Sequence, residues 1–222
     1  MGCWLVLDAA SGASGASGAR AVAALLDADG ALLAGVERTG PGGAAALPAL
    51  LPALFDAAGA GALPQAAHRL AGIACVIGPG SFTGLRATLA LAHGLHAGGA
   101  PAPVAVSVGE ACGIDLDPAL WVVTMARRGR AFVECGAEAP FGVDLAAPSV
   151  CLAGRAAPAR LAGDGAEALA PLFSLEVGAR APTPADILAA ARRRVSGVLP
   201  PRVALPLYVD PPRVTAPGPR AP

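Results

Sequence analysis

The sequence predicts a protein of the α/β class, and three observations support this. A short apolar run at residues 73–77 ends in a glycine-rich turn at 78–80 and continues into an alanine- and leucine-rich segment. This order is typical of a buried strand, a tight turn and a helix. Two apolar segments, 21–26 and 31–37, flank an Asp-Gly turn typical of a hairpin. The length of 222 residues, 55% of them hydrophobic, suffices for one large domain or two small lobes.

Composition excludes several function classes. The formal net charge is zero, so no global field attracts nucleic acid or an anionic membrane. Two arginine clusters, at 127–130 and 192–194, are interpreted as solvated faces, and direct nucleic-acid binding would have to use one of them. Five scattered cysteines without a C-x-x-C motif indicate neither a disulfide framework nor a zinc site. We expect a cytoplasmic protein, because the start resembles no signal peptide.

The first third of the chain is predicted to open with three strands. A strand at residues 4–7 leads into Asp8, and the Ser-Gly-Ala repeat at 11–19 is predicted to be a mobile loop. The hairpin supplies the other two strands. Leucines at i, i+3, i+4 and i+7 predict a helix within 41–58, which Pro52 would kink or restart. Residues 60–68 are predicted to be a loop.

The central strand–turn–helix unit contains the most specific signal. Ser81 and Thr83 are both competent helix N-caps, and the glycine spacing matches neither the dinucleotide-binding fingerprint nor a Walker loop. Ala90, Gly94 and Gly98 form a small-residue stripe that would let another helix approach closely. Residues 87–109 lack charge, but glycines and prolines interrupt them, so we expect a buried helix and strand instead of a membrane span.

The remaining chain predicts further alternation of strands and helices. An apolar strand covers 104–108, and residues 120–136 form a hairpin with its turn at 127–129. A Gly-Asp-Gly turn at 163–165 leads into a short helix, and Thr183 with Pro184 begins a helix that runs through 195. The proline-rich end is predicted to be disordered.

The nine residues 78–86 resemble the signature of the TsaB (YeaZ) family, the partner subunits of bacterial tRNA threonylcarbamoyladenosine synthesis. These motif residues are Gly78, Pro79, Gly80, Ser81, Phe82, Thr83, Gly84, Leu85 and Arg86. Looser similarity extends over 107–112, 126–129, 161–166 and 206–209. The resemblance implies a two-lobed actin/Hsp70/sugar-kinase-like (ribonuclease H-like) fold, with mixed sheets and flanking helices. The N-terminal lobe would span 1–113 (three strands, helix, strand, glycine turn, helix, strand). A smaller lobe would span 114–209, and a disordered tail 210–222.

The resemblance also implies a function. The chain would be a non-catalytic subunit, without catalytic residues, metal ligands or a cofactor of its own. It would bind and activate a catalytic threonylcarbamoyltransferase subunit of the TsaD family. An ATPase subunit of the TsaE family and the tRNA would complete the assembly, whose catalytic and ATPase subunits would use ATP and a metal. No membrane partner is implied, and homodimer formation stays open.

Two sets of residues follow from the resemblance. The expected partner interface on two helices comprises Leu47, Leu51, Leu54, Arg86, Ala87, Ala90 and Gly94. The candidate nucleotide-binding residues between the lobes are Asp8, Gly163, Asp164 and Gly165.

Departures from the family pattern leave alternatives open. Ala9 and Gly43 replace a usual hydroxyl residue and a histidine, Met125 replaces the usual Asp, Arg130 the usual Glu, and Asp210 the usual Arg. The alternatives are a diverged paralogue with weak or no partner binding, a small-molecule kinase of the same superfold, and a peptidase using Ser81 or Ser107. His93 and His96 have metal-ligand spacing but no third ligand nearby.

Overall fold

The computed structural model describes residues 2–10, 20–40, 42–63, 65–179 and 181–210. The predicted repeat loop at 11–19 and residues 211–222 of the tail predicted at 210–222 lie outside these residues, whereas Asp210 is described and forms an ion pair with Arg130. The model confirms the α/β class and the mixed sheets with flanking helices.

The first sheet has five strands in the order β3-β2-β1-β4-β5. β1 pairs antiparallel with β2, which pairs antiparallel with β3, while β1–β4 and β4–β5 are parallel. The predicted hairpin is therefore confirmed, because the Asp-Gly turn joins β2 to β3. The strands are β1 (Trp4–Asp8), β2 (Arg20–Leu26), β3 (Leu32–Thr39), β4 (Gly72–Gly78) and β5 (Pro103–Ser107).

Two long helices and one short helix lie, in sequence order, between the described strands of the first sheet. They are α1 (Gly43–Ala57), α2 (Gln65–His68) and α3 (Phe82–Ala97). α1 and α3 pack on one face of the sheet around a core that includes Phe55, Leu5 and Ile73. α1 continues through Pro52 without restarting, and the segment predicted as a loop at 60–68 contains α2. A four-residue helix has too few residues to show helical periodicity in the sequence.

The second sheet repeats the strand order and directions of the first. Its order is β8-β7-β6-β9, with β6–β7 and β7–β8 antiparallel and β6–β9 parallel. Val177 adds a parallel bridge to Leu161, at the position that β5 has in the first sheet. The predicted hairpin at 120–136 is confirmed. The strands are β6 (Leu120–Met125), β7 (Arg130–Cys135), β8 (Phe141–Asp144) and β9 (Arg160–Ala162).

Four further helices occupy the spaces between and outside the sheets. They are α4 (Val108–Ala111), α5 (Pro148–Leu152), α6 (Ala166–Phe173) and α7 (Pro184–Val195). α4 and α7 lie against the second face of the first sheet, and Val122 and Ala162 of the second sheet join the same core. α5 and α6 cover the other face of the second sheet. The proposed lobe boundaries stay a prediction, but α7, which follows the second sheet in the sequence, packs against the first sheet.

The start of α3 approaches the end of β1 so closely that side chains have no room. A Cβ atom on Gly84 would lie 2.1 Å from the carbonyl oxygen of Ala9, and one on Gly80 2.1 Å from that of Ala10. These contacts involve backbone atoms, which cannot rotate away. Glycine at both positions is therefore required by packing within the chain.

We expect Gly84→Ala to destabilise the protein by about 2–3 kcal/mol, because the added methyl group overlaps a backbone carbonyl. Gly94→Ala is the matched control in the same helix, since a Cβ there meets no atom within 4 Å. That control should stabilise the protein by about 0.8–1 kcal/mol through helix propensity. Urea unfolding of both variants checks this, and equal stabilities would contradict the packing argument.

Candidate functional site

Most of the exposed residues on the outer faces of α1 and α3 are small. Ala90 and Gly94 are exposed on α3, and Ala87, one turn before Ala90, is half-buried. Within the two helices, Asp56 is the one acidic residue and Arg86 the one arginine. No helix in the described part of the chain covers this surface, which we call the α1–α3 face. Its shape allows the backbone of another helix to approach closely.

The structure corrects the expectation that three leucines of α1 lie at the partner interface. Leu47, Leu51 and Leu54 are buried in the core beneath α1. Their i, i+4, i+7 spacing marks the face of the helix that packs on the sheet. Alanines and prolines occupy the exposed side of the helix, so the leucines support the α1–α3 face from below. Periodicity showed that these leucines share one face of α1, and only the packing shows that this face meets the sheet.

Arg86 lies beside two exposed aromatic rings at the beginning of α3. Its guanidinium carbon is 4.0 Å from the centroid of the Phe82 ring, and its Nε donates a hydrogen bond to the hydroxyl of Tyr208 at 2.9 Å. The two rings stack with centroids 5.3 Å apart. Sequence reasoning missed the Tyr208 contact, because 122 positions separate it from Arg86.

The segment that carries Tyr208 is held along α3. Leu207 donates its N–H to the carbonyl of Ile77 at 2.8 Å, and Ala204 is buried in the first core. The ring Nε2 of His93 lies 2.8 Å from the carbonyl oxygen of Ala204. We call residues 203–208 the C-terminal strap. His96 contacts the carbonyl of Ala100 separately, so each histidine of the H-x-x-H pair has its own structural partner.

The nine-residue motif forms the expected turn and helix start. The Gly78–Pro79 peptide bond is cis, and the Ser81 hydroxyl accepts the Gly84 N–H as the N-cap. Thr83, the other candidate cap, is exposed within the helix. Ser81 in turn donates its N–H to the carbonyl of Ala10. Part of the hydrogen-bonding capacity at this helix start is therefore used by the chain itself.

The candidate nucleotide-binding residues lie beside the ends of the corresponding strands of the two sheets. Asp8 ends β1, is almost fully buried and accepts the Ala10 N–H at 2.8 Å. Asp164 accepts the Met125 N–H at 2.7 Å, at the end of β6. A Cβ on Gly163 would lie 2.2 Å from the carbonyl oxygen of Val123. Each carboxylate thus accepts a backbone N–H at the end of a strand of its own sheet. Nucleotide binding at these residues stays a prediction.

A buried polar cluster joins the two sheets. Glu110 pairs with Arg194 (2.5 Å) and Arg202 (3.2 Å) and completes a capping box with Ser107. Glu134 reaches across from β7 and accepts the Gly109 N–H at 2.6 Å. A cavity of about 490 Å³ borders these groups. Spacing in the sequence did not indicate this cluster, since its members come from three separate segments.

The arginine clusters have different environments. Arg192 donates to the carbonyl of Ala28, Arg193 pairs with Asp115, and Arg194 is buried. The 192–194 run is therefore a set of internal contacts, and the prediction of a solvated face is wrong there. In the other cluster, Arg127 and Arg128 are exposed in the β6–β7 turn.

Two departures from the family pattern are partners of each other. Arg130 on β7 forms an ion pair with Asp210 at 2.8 Å. The resemblance leads us to expect Glu at position 130 and Arg at position 210, so each side chain carries the charge opposite to the expected one. A Cβ on Gly142 would lie 2.2 Å from the Arg130 side chain and 3.2 Å from the Asp210 carboxylate. Glycine at position 142 therefore makes room for the pair.

Among the described residues, no group of three or more histidine, cysteine, aspartate or glutamate side chains is placed to hold a metal ion. All five cysteines are free thiols. The helices described by the structure include none that is long and apolar enough to cross a membrane.

Comparison with solved structures identifies the fold. YeaZ from Pseudomonas aeruginosa superposes with a TM-score of 0.64 at 20% sequence identity, covering 94% of this chain and all of that one. A second structure, described as an uncharacterized protein with similarity to peptidase YeaZ from Pseudomonas aeruginosa, gives 0.64 at 18% identity, covering 95% of this chain and all of that one. No family model matches the sequence, and no curated protein matches it. The chain therefore has the YeaZ fold, which is of the expected two-lobed class.

We expect Glu134→Gln to remove a pH-dependent loss of stability. Burial raises the pKa of the Glu134 carboxyl to about 7, against hydrogen bonds from Ser107 and the Gly109 N–H, which lower it. From about pH 4.5 to 7 the unfolded chain ionises this group while the folded chain keeps it protonated. Stability must therefore fall with rising pH, by up to roughly 3 kcal/mol.

Urea unfolding at pH 5, 6, 7 and 8 measures this difference between wild type and the glutamine variant. The variant should gain stability relative to wild type as the pH rises. Glu176→Gln, at an exposed position, controls for removal of one charge. Parallel curves for wild type and Glu134→Gln would show that the carboxyl does not titrate in this range.

We expect the Arg130–Asp210 pair to tolerate exchange of its two charges. Either Arg130→Glu or Asp210→Arg alone places like charges together, whereas the double variant restores an attractive pair. The coupling free energy should be about 0.5–1 kcal/mol, since both side chains are partly exposed. A double-mutant cycle in thermal unfolding measures it. Simple additivity of the two single effects would contradict the pairing.

Proposed function

We propose that this chain belongs to the TsaB (YeaZ) family and is the non-catalytic subunit required for N6-threonylcarbamoylation of the adenosine beside the anticodon in tRNAs that read ANN codons. It binds and activates the TsaD-family catalytic subunit. The observation that carries the proposal is the literal nine-residue motif in its strand–turn–helix setting, on a chain with the YeaZ fold. Fold alone would not support a function, but the motif restricts it.

The α1–α3 face is the proposed docking surface for the catalytic subunit. Its exposed members from the expected interface are Arg86, Ala90 and Gly94, with Ala87 half-buried between them. Small side chains permit close helix packing, and a surface almost free of charge loses little hydration when a partner covers it. This supports association through helices.

The remaining roles belong to the assembly. We propose that ATP and a metal act through the catalytic and TsaE-family ATPase subunits, and that tRNA reaches this chain through the complex in the cytoplasm. Both serines considered for a peptidase are helix caps: Ser81 accepts the Gly84 N–H and Ser107 accepts the Glu110 N–H. These contacts favour a structural use of both hydroxyls over a catalytic one.

Co-purification with the TsaD-family subunit of the same organism tests the proposal. The wild-type chain should associate tightly, and Ala90→Trp should reduce the recovered complex at least about tenfold, because an indole cannot fit between closely packed helices. Ala146→Trp, at an exposed position of the second lobe, is the matched control and should associate as wild type does.

The outcomes separate the alternatives. The proposed subunit role is supported if Ala90→Trp loses association while Ala146→Trp keeps it. A strain that depends on this chain should then also lose threonylcarbamoyladenosine when it carries Ala90→Trp. Binding unaffected by Ala90→Trp would overturn the α1–α3 face as the interface. A folded wild-type chain that neither associates nor restores the modification would indicate a diverged paralogue.

A further inference from the structure

We propose that Arg86, held on the rings of Phe82 and Tyr208, is a preorganised anchor for a carboxylate of the protein that docks on the α1–α3 face. The C-terminal strap would then be part of the partner-binding surface. The inference rests on the proposed function and adds the chemistry of the contact at one end of the face.

The guanidinium is fixed before any partner arrives. Phe82 supports one face of it at 4.0 Å, an arrangement favourable for a cation over an aromatic ring. The Nε donor is committed to the Tyr208 hydroxyl, and neither Nη group donates a hydrogen bond to any residue that the structure describes. A side chain already held in its bound conformation loses less entropy on binding, so it contributes more to affinity than a mobile arginine.

The charge of Arg86 is not balanced within the described residues, since no carboxylate there lies within ion-pair distance of its guanidinium. Most of the other arginines whose contacts are described behave differently. Arg20, Arg130, Arg155, Arg160, Arg193, Arg194 and Arg202 all form ion pairs. Arg86 is held by rings and a hydroxyl, which orient the guanidinium and leave its charge for another molecule.

The two rings beside Arg86 and the exposed residues of the strap have the composition of an interface centre. Phe82 is 49% exposed and Tyr208 41%, although large aromatic side chains are usually more buried than this. Val203 and Leu205 on the strap are also largely exposed. Aromatic residues and arginine together dominate binding energy where two proteins meet.

A carboxylate fits these observations better than a nucleic-acid backbone. Binding to a polyanion uses several cations that neutralise successive phosphates, but Arg86 is the one arginine of α1 and α3. A single guanidinium whose two Nη groups bond to none of the described residues matches one carboxylate in a bidentate, charge-assisted pair. The apolar residues around it would exclude water from that pair.

Calorimetric titration of the TsaD-family subunit into this chain tests the anchor. Arg86→Met keeps the aliphatic contact with Phe82 but removes the charge, and it should weaken binding about 30-fold or more. Arg86→Lys keeps the charge but loses the planar fork, and should weaken binding at least about tenfold. Tyr208→Phe removes only the acceptor of the Nε hydrogen bond, and should weaken binding about fivefold.

Arg127→Met, at an exposed arginine of the β6–β7 turn, is the matched control and should bind as wild type.

Salt and folding controls complete the design. Raising the salt concentration should weaken the wild-type complex more than the Arg86→Met complex, because one ion pair is missing from the latter. Thermal unfolding of every variant, measured alone, shows whether each remains folded. Arg86→Met binding within twofold of wild type would overturn the anchor. If Ala90→Trp still abolished binding of the TsaD-family subunit, the proposed function would stand without the Arg86 anchor.

Two other results would also overturn the inference. Tight binding of isolated tRNA that Arg86→Met abolishes would identify a nucleic acid as the occupant. A folded wild-type chain that does not bind the TsaD-family subunit would overturn the proposed function and this inference with it.

Discussion

The contact between the end of β1 and the start of α3 determines the position of the surface on which the proposed function depends. Because Gly80 and Gly84 have no side chains, the helix begins against the carbonyls of Ala9 and Ala10. α3 then runs along the sheet with Leu85 and Leu89 inward. Its opposite side, with Ala90 and Gly94, is thereby directed outward. A larger residue at either glycine would have to displace the helix or the loop.

This contact also explains why a glycine-rich junction between a strand and a helix need not bind phosphate. Glycines allow close approach of any group to the backbone, and here the group is the chain's own carbonyl. In the second sheet, Gly163 directly follows β9 and also lies against a backbone carbonyl, that of Val123 within β6. Glycine thus permits close backbone approach in both sheets.

Charged side chains also connect segments that are far apart in the sequence, in addition to the contacts within the apolar cores. Glu110 with Arg194 and Arg202 lies in the layer between the sheets, and the Arg130–Asp210 pair connects the C-terminal segment to β7. Considered singly, Arg130 and Asp210 look like losses of family residues. Considered together they form an attractive ion pair that joins the C-terminal segment to the second sheet.

By itself, the sequence determined the α/β class, both hairpins and the strand–turn–helix unit, because each depends on neighbours within a few residues. Tertiary structure decided that Leu47, Leu51 and Leu54 face the core, that Tyr208 lies on Arg86, and that Glu134 caps α4 from the other sheet. It also decided that the 192–194 arginines are internal contacts. These features join segments up to 165 positions apart. Periodicity predicts which residues share a face, but only packing determines what that face meets.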